Sequence, residues 1–122
     1  MAAPNIVNVT SIYGQTRGQD LTTTTTAGIL TCASDKVLKV NSIIVSNIDG
    51  SNSADVTIRF FDNSQSSTVA IANTVTVPAQ STLIVLGKDS PIYLEESDEI
   101  RGGASANGDL EVIVSYEELD DA

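Results

Sequence analysis

Apolar and polar residues alternate along much of this chain with a period of two. Ala54, Val56, Ile58 and Phe60 fall on one face of an extended segment, and Asp55, Thr57, Arg59 and Phe61 on the other. Val69, Ile71, Val75 and Val77 alternate with Ala70, Ala72, Thr74 and Thr76. Leu110, Val112, Val114 and Tyr116 alternate with Glu111, Ile113, Ser115 and Glu117. Such runs predict strands with one face on a core and the other on water or a partner. Leu38 to Val45 is more continuously apolar and reads as a central strand covered on both faces. Thr82 to Leu86 reads the same way over a shorter length. Ile92-Tyr93-Leu94 and Glu99-Ile100-Arg101 are short strands, and Ile6 to Ile12 is a first strand or an arm.

The separators carry turn chemistry. Asp49-Gly50-Ser51-Asn52-Ser53, Asp62-Asn63-Ser64-Gln65-Ser66 and Ala106-Asn107-Gly108-Asp109 each favour a tight reversal. Asn107-Gly108 is the strongest hairpin signal, because both residues accept positive φ. Pro78 closes one strand and Pro91 opens another. Gln15 to Thr26 is polar and rich in threonine, which predicts an edge strand or a long surface loop. Six to nine short strands at this spacing predict an all-β fold, an antiparallel β-sandwich of jelly-roll or immunoglobulin-like topology.

The 122 residues suffice for one core and not for two, so a single domain over residues 1–122 is expected. Residues 1–5 have little to bury and read as an N-terminal arm. Such an arm frays on a monomer, or adds a strand to a neighbour in an assembly. No apolar run is long enough to cross a bilayer, so no membrane partner is expected. The start, Met1-Ala2-Ala3-Pro4-Asn5, lacks the basic and apolar succession of a secretory signal.

Charge changes the picture more than composition does. The net charge is −10 and is unevenly spread. Residues 1–88 hold five basic and five acidic side chains, whereas residues 89–122 hold one basic and eleven acidic. This field repels a phosphate backbone, so no nucleic-acid partner is expected. The acidic region is either a solvated face or a patch that meets a basic partner.

Candidate chemistry is sparse. There is no histidine and one cysteine, Cys32. Ser-His and Cys-His pairs, histidine metal sites and internal disulfides are therefore excluded. Cys32 lies in an apolar stretch and reads as a buried structural thiol of a chain made in a reducing cytoplasm. Glu95-Glu96-Ser97-Asp98-Glu99 places four carboxylates in five residues. That pattern is either a divalent-cation site or a solvated turn, and the turn is the reading adopted. Asp49 to Asp55 has oxygen ligands at alternate positions but lacks the mid-loop glycine and distal acid of an EF-hand, so it reads as a β-turn. No serine sits in a Gly-x-Ser-x-Gly elbow. Arg101-Gly102-Gly103 is not a phosphate loop, since the lysine and following helix are missing. No catalytic residue, metal ligand or cofactor is assigned, and no enzyme is expected. Phe60 and Phe61 point to opposite sides of one strand, so one of them needs cover outside the main core. Phe61 and the arm residues Ala2, Ala3, Pro4 and Asn5 are the interface candidates.

The phrases from Asn41 onward form a recognisable series. Asn41-Ser42-Ile43-Ile44-Val45-Ser46-Asn47-Ile48-Asp49-Gly50 leads into Ala54-Asp55-Val56-Thr57-Ile58. Thr76-Val77-Pro78-Ala79, Ser81-Thr82-Leu83-Ile84-Val85 and Pro91-Ile92-Tyr93-Leu94-Glu95-Glu96-Ser97-Asp98 follow. Ala104-Ser105-Ala106-Asn107-Gly108-Asp109-Leu110-Glu111-Val112 and Val114-Ser115-Tyr116-Glu117-Glu118 close it. The series covers about two-thirds of the chain and resembles small virion structural proteins of tailed phages of marine bacteria, cyanophages especially. The resemblance implies a particle component made in the host cytoplasm, with no catalytic residues to carry over. A capsid decoration or cement protein is expected, as a homo-oligomer contacting the major capsid protein. The alternatives are a neck or tail component with neck or tail partners and, from another class, a receptor- or glycan-binding module.

Overall fold

The alternation resolves into nine strands and no helix among the described residues, which are Val7 and residues 9–120 of the computed structural model. They are β1 (Ser11–Asp20), β2 (Gly28–Thr31), β3 (Lys36–Asn47), β4 (Ala54–Asp62), β5 (Ser67–Val77), β6 (Thr82–Leu86), β7 (Ile92–Leu94), β8 (Glu99–Ala104) and β9 (Leu110–Asp120). One sheet has the order β1-β9-β3-β6, with β7 also paired to β3. The other has the order β2-β8-β4-β5. All pairings are antiparallel, and the two sheets pack face to face around one apolar cluster. The chain is an antiparallel β-sandwich.

The pairings also settle the topology. β1 pairs with β9, β2 with β8, β3 with β6 and β4 with β5. Those are the rungs of one long hairpin that turns at the β4–β5 loop, with β7 as an insertion. Rolling that hairpin up sets β9 beside β3 and β8 beside β4, as observed. This is a jelly roll and not an immunoglobulin-like order.

The rolled connectivity corrects one expectation directly. Of the turn signals, Asp62–Ser66 alone joins two strands paired with each other. Asn107-Gly108 is not a hairpin, because β8 and β9 lie in different sheets. Gly108 does adopt a positive φ of 78°, and the Asn107 side chain accepts the Thr23 N–H at 2.9 Å. The dipeptide supplies the reversal, and tertiary packing chooses the partner. Pro78 and Pro91 flank β5 and β7 as expected.

The core is built from alternate residues. Ala54, Val56 and Ile58 of β4, Ile43 and Val45 of β3, and Leu110, Val112 and Val114 of β9 are all buried in it. β3 contains a register slip between Val40 and Ser42 that bulges Asn41 out of the ladder with β9. The bulge shifts the phase by one residue, so Leu38 and Val40 share the inner face with Ile43 and Val45. The run looks continuously apolar for that reason. The expectation that β3 is covered on both faces is wrong, since Ile44 stands half-exposed on the outer side. The same correction holds for Thr82 to Leu86, where Ile84 is 66% exposed. β5 carries two slips of its own, at Val56/Ile58 and Ile58/Arg59 of its partner. Thr74 sits there at φ 53°, with its N–H held by the Thr57 hydroxyl at 3.2 Å.

The polar segment Gln15 to Thr26, predicted as an edge strand or a loop, is both. It is the edge strand as far as Asp20, and a loop follows to Ala27. The strand expected over Ile6–Ile12 starts at Ser11 within the described residues.

Buried polar groups close the ends of the sandwich. Asn47 donates to the carbonyls of Asn52 and Val77, both at 3.0 Å, and accepts the Asp49 N–H at 2.9 Å. It ties β3, the following loop and β5 together. Cys32 is buried as expected, and its thiol donates to the Lys36 carbonyl at 3.1 Å. Burial, the largest effect, pushes its pKa up to about 11. At pH 8 about one thiol in a thousand is then the nucleophilic thiolate. Native protein is expected to react with a disulfide reagent far more slowly than protein unfolded in urea. Equal rates in the two states would refute this placement.

Candidate interaction surface

The acidic region divides into separate partnerships. Asp98 is buried and accepts the N–H groups of Asn63 and Glu95. Glu96 accepts the Asp35 N–H at 2.9 Å. Glu99 pairs with Arg101 at 2.9 Å, and Lys36 pairs with Asp120 and Glu118. Glu95 to Asp98 is a turn between β7 and β8, as adopted, but Asp98 is not a solvated member of it. The Asp49 loop is likewise held by its own carboxylate, which accepts the N–H groups of Ser51 and Asn52 and lies below the usual carboxylate range because of those bonds. Among the described residues, no three acidic, cysteine or histidine side chains gather into a metal-binding group.

Arg101-Gly102-Gly103 lies within β8. Arg101 stacks its guanidinium over the Phe61 ring at 3.9 Å from the centroid. Phe61 is therefore half-buried on the outer face of the β2-β8-β4-β5 sheet, while Phe60 packs against the core. The other interface candidates, Ala2, Ala3, Pro4 and Asn5, lie outside the described residues.

The apolar surface that sequence reading missed is on the opposite sheet. Ile84 of β6 lies directly across from Ile44 of β3, and Ile44 across from Ile113 of β9. The three form a row over the outer face of the β1-β9-β3-β6 sheet. Ile84 and Ile113 are 66% and 44% exposed. On β1 the row ends at Gly18, which pairs with Ile113 and has no side chain to extend it. Serine and threonine flank the row, with Ser46 and Thr82 paired beside it at 3.4 Å. An open cleft of about 360 Å³ lies at the β1 end, lined by Gly18, Asp20, Ser46, Glu111 and Ile113 among others. The available signal was Ile113 on the polar face of an otherwise clean alternation, together with the Ile43-Ile44-Val45 triplet.

Asp20 and Glu111 face each other across β1 and β9 in this cleft. A hydrogen bond to the Asp20 carboxylate, the leading effect, raises the Glu111 pKa above its ordinary value. The folded protein thus holds this proton more tightly than the unfolded chain. The contribution is present below the ordinary glutamate range and is lost as pH rises through the raised pKa, when two charges face each other. Glu111→Gln is expected to flatten the fall of the urea midpoint from acid towards neutral pH. An unchanged slope would count against the shared proton.

Comparison with protein-family models and with curated proteins finds no match to this chain. The fold is a jelly-roll β-sandwich whose described residues expose an apolar row on one sheet face.

Proposed function

We propose that the chain is a non-enzymatic structural protein of a tailed-phage particle, a capsid decoration or cement protein. It docks on the head through the outer face of the β1-β9-β3-β6 sheet. The observation that carries this reading is the exposed row Ile84–Ile44–Ile113. An exposed three-strand apolar row rimmed by hydroxyls suits the centre of a protein contact better than a small-molecule pocket. The ordered phrases from Asn41 to Glu118 support the virion assignment by resemblance. The major capsid protein is the proposed partner. Many weak contacts of this kind, repeated over a shell, resist internal pressure together.

The reading is tested on purified particles. Quantitative mass spectrometry should give a copy number tied to capsid geometry, and a few copies per particle would overturn it in favour of a neck or tail role. Ile113→Glu leaves the fold intact, because the side chain already faces solvent. It is expected to weaken association with the particle by roughly thirtyfold, equivalent to a hot-spot loss of about 2 kcal/mol. Undiminished incorporation of this variant would remove the sheet face from consideration.

A further inference from the structure

Among the described residues, β1 is a ten-residue strand paired on one side, to β9, with an unbroken register from Ser11↔Asp120 to Asp20↔Glu111. The register continues into Leu21, whose N–H donates to the Leu110 carbonyl at 2.9 Å. Backbone groups alternate sides along a strand. The odd-numbered residues of β1 therefore turn their N–H and C=O groups towards β9. The even-numbered ones, Ile12, Gly14, Thr16, Gly18 and Asp20, turn theirs to the open edge. Edges of this length are ordinarily blunted with proline, lysine or a bulge. Ser11–Asp20 has none of the three.

We propose that two copies of this chain join through β1, antiparallel about a two-fold axis, with Gln15 opposite the partner's Gln15. The two sheets then become one. This proposal does not depend on the particle reading.

Three observations select that occupant and that register. First, charge permits it. Each chain carries −10, but Ser11–Asp20 holds one arginine and one aspartate, so the edge is neutral where the rest of the chain repels. Second, the two-fold keeps outer faces on the same side, so even residues must meet even residues. The proposed register satisfies this and pairs Ser11 through Gln19. It sets Ile12 opposite the partner's Gly18, and Tyr13 opposite the partner's Arg17. Sliding one allowed step puts Ile12 against the partner's Asp20, an apolar group against a carboxylate. Sliding the other way shortens the ladder. Third, side chains left uncovered in one copy find company. Ile12 and Tyr13 are 59% and 50% exposed. Ile12 sits beside Leu119 and Val37, two residues that are buried on the outer face and lie outside the main core. In the dimer, the row Ile84–Ile44–Ile113 passes over Gly18 and meets the partner's Ile12. The bare Gly18 leaves the space that Ile12 enters. On the other face Tyr13 lies against the partner's guanidinium at Arg17, an aromatic–cation pair made twice.

The register prescribes a cross-link. Gln15 falls in a pair without backbone hydrogen bonds, where the Cα atoms are about 4.5 Å apart, within disulfide reach. Gln15→Cys should give a covalent dimer as the dominant species under mild oxidation. Cys32 is buried and does not interfere. Thr16→Cys, which lies opposite the partner's Gly14 in this register, and Ser64→Cys, in the distant β4–β5 turn, should remain uncross-linked. Sedimentation equilibrium of the unmodified chain at high micromolar concentration should give twice the 12.8 kDa chain mass. Thr16→Pro removes an N–H that faces the open edge and none that faces β9. It should reduce the mass to a single chain while leaving the melting temperature measured at low concentration unchanged. A monomeric unmodified chain would overturn the proposal and mark the edge for a foreign strand. Cross-linking of Thr16→Cys in preference to Gln15→Cys would overturn the register.

Discussion

Gly102→Ala is expected to destabilise the protein by about 3 kcal/mol or more, although it adds a single methyl group. Gly102 pairs with Ile58 and faces the core from β8. A Cβ there would stand 2.5 Å from the Thr57 carbonyl oxygen and 2.8 Å from the Ile58 Cδ1, with the Ile29 Cδ1 at 3.2 Å. Two of those atoms are side-chain ends that shift at a modest cost. The carbonyl belongs to β4, which is clamped between β8 and β5 and cannot move without disturbing both ladders. Interiors packed at crystal density absorb such an intrusion by straining rotamers and backbone. The melting temperature should fall by roughly 10 °C or more. Gly87→Ala is the control, because nothing lies within 4 Å of the added carbon. It should change stability by no more than about 0.5 kcal/mol. If Gly102→Ala melts with Gly87→Ala, then β8 is not packed as described.

Strand content was legible because burial is one-sided. Val112 inside and Glu111 outside repeat every second residue, and the sequence states that period without any knowledge of partners. Sheet membership was not legible. Asn107-Gly108 encodes a reversal and says nothing about which strand follows beside which. In a rolled hairpin most reversals carry the chain from one sheet to the other. The bulge at Asn41 hid a second feature. An apolar run with a phase shift inside it is indistinguishable from a run buried on both sides, so the pattern predicts cover over Ile44 where the fold leaves it half-exposed. Phe61 drew attention for being aromatic and outward-facing, yet Arg101, forty residues away in sequence, stacks over it. The isoleucine row escaped because its members belong to three strands, Ile44, Ile84 and Ile113, whose alignment is set by register alone.

Asp98 carries the second large effect and settles what the Glu95–Glu99 turn is for. Its Oδ1 accepts the Asn63 N–H at 2.9 Å, and its Oδ2 accepts the Glu95 N–H at 3.0 Å. Its carbonyl accepts the Cys32 N–H at 3.0 Å, while the Ser97 N–H returns to the Cys32 carbonyl at 2.9 Å. The buried carboxylate thus fastens the β7–β8 turn to the β4–β5 turn, while the backbone of the same turn holds the residue that follows β2. Asp98→Ala removes both charge-assisted bonds and leaves two N–H donors without acceptors. The expected loss is about 3 to 5 kcal/mol, read from urea unfolding. Asp98→Asn retains one acceptor oxygen and turns an amide N–H₂ towards the other donor, so it should lose about half as much. Hydrogen exchange should then accelerate at the Asn63 and Glu95 amides first. A cation site in this turn makes the opposite demand, because its carboxylates must be free to turn to the metal. Calcium at millimolar concentration would then raise the melting temperature by mass action. With Asp98 committed to backbone donors and Glu96 and Glu99 to Asp35 and Arg101, the expected result is an unchanged melt. A calcium-dependent rise that disappears in Asp98→Asn would show that this turn binds the ion after all.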